Sequence, residues 1–145
     1  MVDNLDKKNC CGCHACANIC PKQCISMVED EEGFLYPQID KSKCINCGLC
    51  RRVCPTINCE KDNGKQPKAY ACFNKDEEVR KKSSSGGMFS VFAEYVLEQD
   101  GIVFGAGLNE NFEVVHQEVS TKEDLQKLRM SKYVQSKIGD CYKKA

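Results

Sequence analysis

Cysteine is the residue type in this chain whose spacing could do chemistry. Thirteen cysteines occur among 145 residues, eleven of them between Cys10 and Cys59. One run reads Cys10, Cys13, Cys16, Cys20, then Pro21; a second reads Cys44, Cys47, Cys50, Cys54, then Pro55. The two share one spacing, offset by 34 residues at every cysteine and at the proline. An odd cysteine count behind a polar N-terminus, MVDNLDKKNC, argues against a complete disulfide framework. Thiolates at such intervals are metal ligands. Zinc ribbons use two C-x2-C pairs, four thiolates per ion. They do not call for a third cysteine at the same interval and a fourth before a proline, twice over. Zinc is the weaker reading and iron–sulfur the stronger.

The spacing is the C-x2-C-x2-C-x3-C-P run of bacterial 4Fe-4S ferredoxins. Three closely spaced thiolates cap three irons on one side of a cube, and the fourth iron must be reached from elsewhere. In two-cluster ferredoxins the fourth cysteine of each run therefore crosses to the other cluster. This assigns Cys10, Cys13, Cys16 and Cys54 to one cluster, and Cys44, Cys47, Cys50 and Cys20 to the other. Each proline stops the short helix leading to its crossover cysteine. Eight cysteines suffice for two cubes, so His14 reads as a surface side chain. Cys11, Cys24, Cys59, Cys72 and Cys141 read as small buried apolar side chains, with redox thiol or alternate ligand as the other reading. Cys11 is the best of the alternates, because a one-residue slip places it near iron.

These ligands need elements to hold them. Residues 24–40 read as a β-hairpin, with Ile25 and Met27 before an acidic turn at 31–33 and Phe34, Tyr36 and Ile39 after it. One face is expected to pack against the clusters, and Ile19, Ile45, Val53 and Ile57 to complete an apolar coat. A module of 60 residues buries little on its own, so the clusters are expected to be structural as well. Residues 61–67, with Gly64 and Pro67, read as a linker between a module at 1–60 and a second unit at 68–145.

The second unit reads as the opening of an α/β domain. Residues 69–73 are a strand candidate, followed by the charged stretch NKDEEVRKK. Phe89, Phe92, Ala93, Val96 and Leu97 form a helical stripe, with Asp100-Gly101 as its C-cap. Residues 102–107 read as a buried strand and 112–119 as its neighbour, joined by a turn at 109–111. Ser120 to Glu123 has the form of a capping box opening a helix to about Leu128. A further helix is expected from Lys137. The segment Ser83 to Gly87 has two readings: a flexible loop with a helix N-cap, or an anion site at a helix N-terminus suited to nucleotide or flavin phosphate. Residues 131–136, with Lys132 and Tyr133, read as a surface loop or as a segment facing a cofactor. His116, mid-strand, reads as structural.

The order of parts resembles a family. Residues 1–60 resemble the two-cluster bacterial ferredoxin fold. The whole chain resembles the N-terminal part of the coenzyme F(420) hydrogenase/dehydrogenase beta-subunit family. The segments that carry this are CCGCHACANICPK, EDEEGFLYPQID, CINCGLCRRVCP, KSSSGGMFSVFAEYVLEQDGIVFGAGLNENFEVVHQEV and LRMSKYVQS. The resemblance implies an α+β chain: a two-cluster 4Fe-4S module, then the start of an α/β flavoprotein domain. It implies electron transfer between clusters and a flavin, with FAD as the possible flavin. Ser84, Ser85, Gly86 and Gly87, with Lys132, are carried over as residues approaching it. Family members run on for hundreds of residues, so the expectation is a domain cut short at Ala145 or completed by a partner.

Three functions follow as expectations. The first is an electron-transfer component of a flavin-dependent oxidoreductase. The second is a stand-alone ferredoxin-like carrier whose second unit only docks a redox partner. The third is a binding module held together by its metal. With 21 basic and 21 acidic residues the chain is formally neutral, which gives nucleic acid no electrostatic footing. No apolar run approaches the roughly 20 residues of a membrane span. Reduced, metal-bound thiolates point to the cytoplasm, and oxygen-sensitive clusters to an anaerobic host.

Overall fold

The computed structural model describes residue 2, residues 5–59 and residues 66–145. The chain is α+β and divides into two compact units, Met1–Lys65 with Tyr142–Ala145, and Gln66–Cys141. Residues 61–65 of the expected linker lie outside the described residues.

In the first unit the order is α1 (Ala15–Ile19), β1 (Ile25–Glu29), β2 (Leu35–Ile39) and α2 (Leu49–Arg52). Both helices are far shorter than the roughly 12–15 residues an isolated helix needs, so tertiary contacts must hold them. α1 ends just ahead of Cys20-Pro21, and α2 one residue before Cys54-Pro55. β1 and β2 pair antiparallel, with Ile25 opposite Ile39 and Met27 opposite Pro37. The alternation of strand side chains puts these four on one face. Ile25 is buried, and Met27 and Ile39 pack against the same cluster of residues. Phe34 is exposed, and Tyr36 lies opposite Val28 on the other face, where Lys7 stacks on its ring at 4.5 Å. Ile19, Ile45 and Val53 are exposed as well. Ile57 does pack on the core, as do Ile25, Met27 and Ile39, joined by Val2 and Leu5 around Cys16, Cys24, Cys50 and Cys54.

The second unit contains α3 (Glu77–Lys81), α4 (Met88–Leu97), β3 (Val103–Leu108) and β4 (Val114–Val119). A 3-10 turn spans Asp124–Lys127; α5 (Cys141–Lys144) begins at the last residue of this unit and continues into residues grouped with the first. Residues 69–73 form no strand; Tyr70, Cys72 and Phe73 are exposed. The charged stretch after them does form a helix, α3. Asp76 caps it, accepting from the N–H groups of Glu78 and Val79. Acidic residues at its start and basic ones at its end complement the helix dipole.

On α4 the inward residues are Ser90, Ala93 and Leu97, while Phe92 is 66% exposed and Tyr95 65%. The hydrophobic stripe read from sequence is therefore turned partly outward. The helix closes in a Schellman motif: Gly101 N–H donates to Val96 O and Asp100 N–H to Leu97 O. Asp100, not Gly101, takes the left-handed conformation, at φ 56°. Gly101 is required for space, since a Cβ there would lie 2.8 Å from Val96 O.

β3 and β4 pair antiparallel, Val103 opposite Val119 and Gly107 opposite Val115. This is a two-stranded sheet, with the strands joined by a turn as the sequence reads. Gly105 and Gly107 share a face, and the 3-10 turn packs close over it; a Cβ on Gly107 would meet Lys127 O at 2.9 Å. Ala93, Val119, Leu125 and Leu128 form the core, with Leu97 and Val103 against it. The capping box is displaced by one residue: Thr121 Oγ1 accepts from Asp124 N–H and donates to Asp124 Oδ2, and the turn is 3-10, not α. Lys137 does not start a helix. It bridges Val115 at the sheet edge, and the helix begins at Cys141.

Candidate functional site

Two cavities in the first unit gather the cysteines. One is lined by Cys10, Cys13, Cys16 and Cys54, with Val2, Leu5, Met27 and Pro37. The other is lined by Cys20, Cys44, Cys47 and Cys50, with Ile25, Ile39 and Ile45. Each cavity takes three cysteines from one run and the fourth from the other. The hairpin joins them: its inner face gives Met27 and Pro37 to one cavity and Ile25 and Ile39 to the other.

The 34-residue repeat is also a repeat of backbone. Gly12 and His14 have φ of 61° and 60°; their counterparts Asn46 and Gly48 have φ of 55° and 76°. Each run thus takes two left-handed residues at equivalent positions, and each supplies one glycine, at opposite places. Such turns bend the chain tightly around a guest and aim backbone N–H groups at it. His14, half-buried, owes its place to this turn as N-cap of α1, rather than being a purely surface residue.

The thiols are shifted by their surroundings. Burial pushes Cys16 up to about 11 and raises Cys13 as well. Burial also acts to raise Cys20, but hydrogen bonds from the N–H and thiol of Cys24 and the N–H groups of Lys22 and Gln23 bring it below its usual value. Protonated, buried thiols release protons when they bind metal, so loading of these cavities is pH-dependent. Four soft sulfur donors in an apolar wall fit a cluster of irons in each cavity. Among the described residues no three His, Cys, Asp or Glu side chains converge on a point that would hold a single ion.

Two further cysteines line these cavities. Cys11 lies at the first and Cys24 at the second. Cys24 is buried, in line with the sequence reading, and so is Cys141, whose Sγ donates to His116 O. Cys11, Cys59 and Cys72 are exposed, so the reading of buried apolar side chains fails for these three. Cys24 stands outside the repeated run but only four residues beyond Cys20, and the local turn after Pro21 brings it to the cavity.

The second unit has a separate cavity at the N-terminus of α4. Ser83, Ser84, Ser85, Gly87, Met88 and Phe89 line one side, and Leu128, Arg129, Met130 and Ser131 the other, around about 240 Å³. Gly87, at φ 76°, is the N-cap, and no side chain caps the helix. Ser84 Oγ and Ser131 Oγ are 3.3 Å apart. Arg129, mostly buried, approaches Glu94 at 3.8 Å, while its Nε is buried with no hydrogen-bond partner. Small hydroxyls, free helix N–H groups and a guanidinium suit the phosphate of a nucleotide cofactor. Gly86 lies behind the wall, its carbonyl accepting from Asn74 N–H. Lys132 is not on the wall either: its ammonium donates to the carbonyls of Arg129 and Met130. Arg129 was missed in sequence, since a lone arginine carries no pattern. His116 Nδ1 lies 2.8 Å from Ser136 Oγ, a pairing that ties β4 to the segment beyond it.

Two cysteine-walled cavities under a hairpin define an iron–sulfur electron-transfer module, followed in the chain by a mixed α+β unit. Residues 9–58 match the family model of the 4Fe-4S dicluster domain. Residues 69–141, half of the chain, match that of the coenzyme F(420) hydrogenase/dehydrogenase beta subunit N-terminal domain. The chain belongs to this family. A comparison with curated proteins returned no match. Among the described residues no helix is long and apolar enough to cross a membrane.

Proposed function

We propose that the chain carries electrons between two 4Fe-4S clusters and a flavin. The observation that carries the reading is the division of eight cysteines four and four, each cavity drawing one cysteine from the other run. Cys10, Cys13, Cys16 and Cys54 hold one cluster; Cys44, Cys47, Cys50 and Cys20 hold the other. When bound, the clusters supply one-electron steps and the flavin converts them to a two-electron hydride step. Met27, Pro37, Ile25 and Ile39 keep water from the sulfur ligands, which bears on reduction potential. Ser84, Ser85, Gly87 and Arg129 hold the phosphate of the flavin nucleotide, FAD being the candidate, at the N-terminus of α4. Gly86 shapes that loop, and Lys132 pins the opposite wall. A redox protein or a further flavin-binding segment completes the path. Eight thiols kept reduced suit the cytoplasm, and an anaerobic host suits exposed clusters.

The test is anaerobic reconstitution of the full chain with iron, sulfide and FAD, read by metal analysis, EPR after dithionite, and flavin fluorescence. About eight irons per chain with quenched flavin fluorescence, and loss of that quenching in Arg129→Ala, are expected. Eight irons without flavin uptake would identify a stand-alone carrier instead. Zinc in place of iron would overturn both.

A further inference from the structure

We infer that the cavity walled by Cys20, Cys44, Cys47 and Cys50 opens onto the docking surface for a small acidic one-electron carrier protein, an inference that rests on the ligand assignment above. The 34-residue repeat makes the two cavities near copies, so differences at equivalent positions serve something other than holding a cluster. Among the eight assigned ligands Cys47 alone is exposed, whereas its counterpart Cys13 is half-buried. A cluster held by Cys47 therefore has an edge at the surface, where an electron crosses the shortest distance to a partner. Ile45, on the wall of the same cavity, is 57% exposed and offers an apolar contact beside it.

The charges differ in the same sense. Lys22, exposed, lines this cavity; its counterpart at the other cavity is Thr56. Arg51 and Arg52 are exposed on α2, directly after Cys50, where α1 has Ala17 and Asn18 after Cys16. No acidic residue occurs between 41 and 59, and none of these three cations forms an ion pair among the described residues. Lys43, by contrast, is matched by Asp40 at 3.1 Å. Glu29, Asp30, Glu31 and Glu32 lie at the turn end of the hairpin, on the side of Met27, Pro37 and the other cavity. An acidic carrier is thus drawn to one end of the module and repelled from the other, which orients it over the exposed ligand. A small apolar contact ringed by charge suits a transient electron-transfer encounter, which buries under about 1,200 Å². The step moves one electron and nothing else: the reduced carrier loses it, the cluster gains it, and no bond forms or breaks.

The test is stopped-flow electron transfer between the iron-loaded full chain and an acidic 2Fe-2S ferredoxin as probe. Whichever is the stronger reductant is mixed reduced with the other oxidised. The second-order rate is expected to fall at least about tenfold between low and high salt. Lys22→Gln/Arg51→Gln/Arg52→Gln is expected to lower the low-salt rate by at least about tenfold, with iron content and reduction by dithionite unchanged. Should that variant lose iron, Lys22→Gln, outside both cysteine runs, gives the same contrast at about threefold. Glu29→Gln/Glu31→Gln/Glu32→Gln is expected to keep or raise the rate. A loaded chain whose rate ignores salt or the three cations, or that exchanges no electron with the probe, overturns the docking surface alone. A chain that takes up no iron overturns the ligand assignment beneath it.

Discussion

Leu125 shows what one side chain does in the second unit. It is fully buried, and with Ala93, Val119 and Leu128 it is most of that core. Full burial of a leucine contributes about 1.5–3 kcal/mol, and truncation adds the cost of the hole it leaves. Leu125→Ala is therefore expected to destabilise the unit by about 2–5 kcal/mol, read as a lower urea midpoint by far-UV circular dichroism. An unchanged midpoint would show that the 3-10 turn does not close this core. Asp76 works at the surface by satisfying two N–H groups at the start of α3, and Asp76→Ala is expected to cost about 1 kcal/mol.

At the scale of elements, the two hairpins close with the same turn. Asp30 Oδ1 accepts from Glu32 and Phe34 N–H, and Asn109 Oδ1 accepts from Asn111 and Glu113 N–H. Each turn then needs one left-handed residue. The first hairpin uses Gly33, at φ 85°, and the second uses Phe112, at φ 60°. A side chain in that region costs roughly 1–2 kcal/mol, and the Phe112 ring is exposed, so packing returns little. Phe112→Gly is expected to stabilise the second unit by up to about 1 kcal/mol once the entropy of glycine is set against the relief, read as a higher midpoint of thermal unfolding. The cysteine runs invite the matching test. A Cβ on Gly48 meets no atom, so Gly48→Val strains the turn through its φ alone, and reduced iron uptake is expected. His14→Gly, at the equivalent place, is expected to keep full iron content.

The two units differ in what holds them. Of the six buried residues in the core of the first, four are cysteines, so removing iron removes the reason for that core to close. The second unit buries ordinary aliphatic side chains. Chelation of iron from the loaded chain is expected to abolish amide exchange protection in β1 and β2 and leave it in β3 and β4. Equal loss in both, or in neither, would contradict this division. Acid acts on both units through their surface carboxylates. The Lys7 ion pair lowers Asp30, the Ser42 hydroxyl holds Asp40 at about 2, the Lys137 ammonium lowers Glu113 and that of Lys127 lowers Asp124. A carboxyl lowered on folding contributes stability that is present above its unfolded value and lost as pH falls through the folded one. Hairpin structure in the metal-free second unit is thus expected to weaken from about pH 4 downward, modestly because these groups are exposed and screened by salt.

The cysteine runs, their crossover grouping and the hairpin between them were legible from residue types alone. Cubic cluster geometry restricts ligand spacing so tightly that few other spacings serve, and strand alternation is a local signal. The Ser83–Gly87 loop and the strands around His116 were visible for the same local reason. What no window of sequence contains is which elements cover one another. The outward turn of Phe92 and Tyr95 and the approach of Arg129 to the serine loop depend on where the chain returns in space. Gly105 and Gly107 allow the 3-10 turn to sit over β3, and only that close approach gives Arg129 its place. The nature of the chemistry was thus legible in spacing along the chain; the side chains that wall the cavities were decided by packing between residues far apart in it.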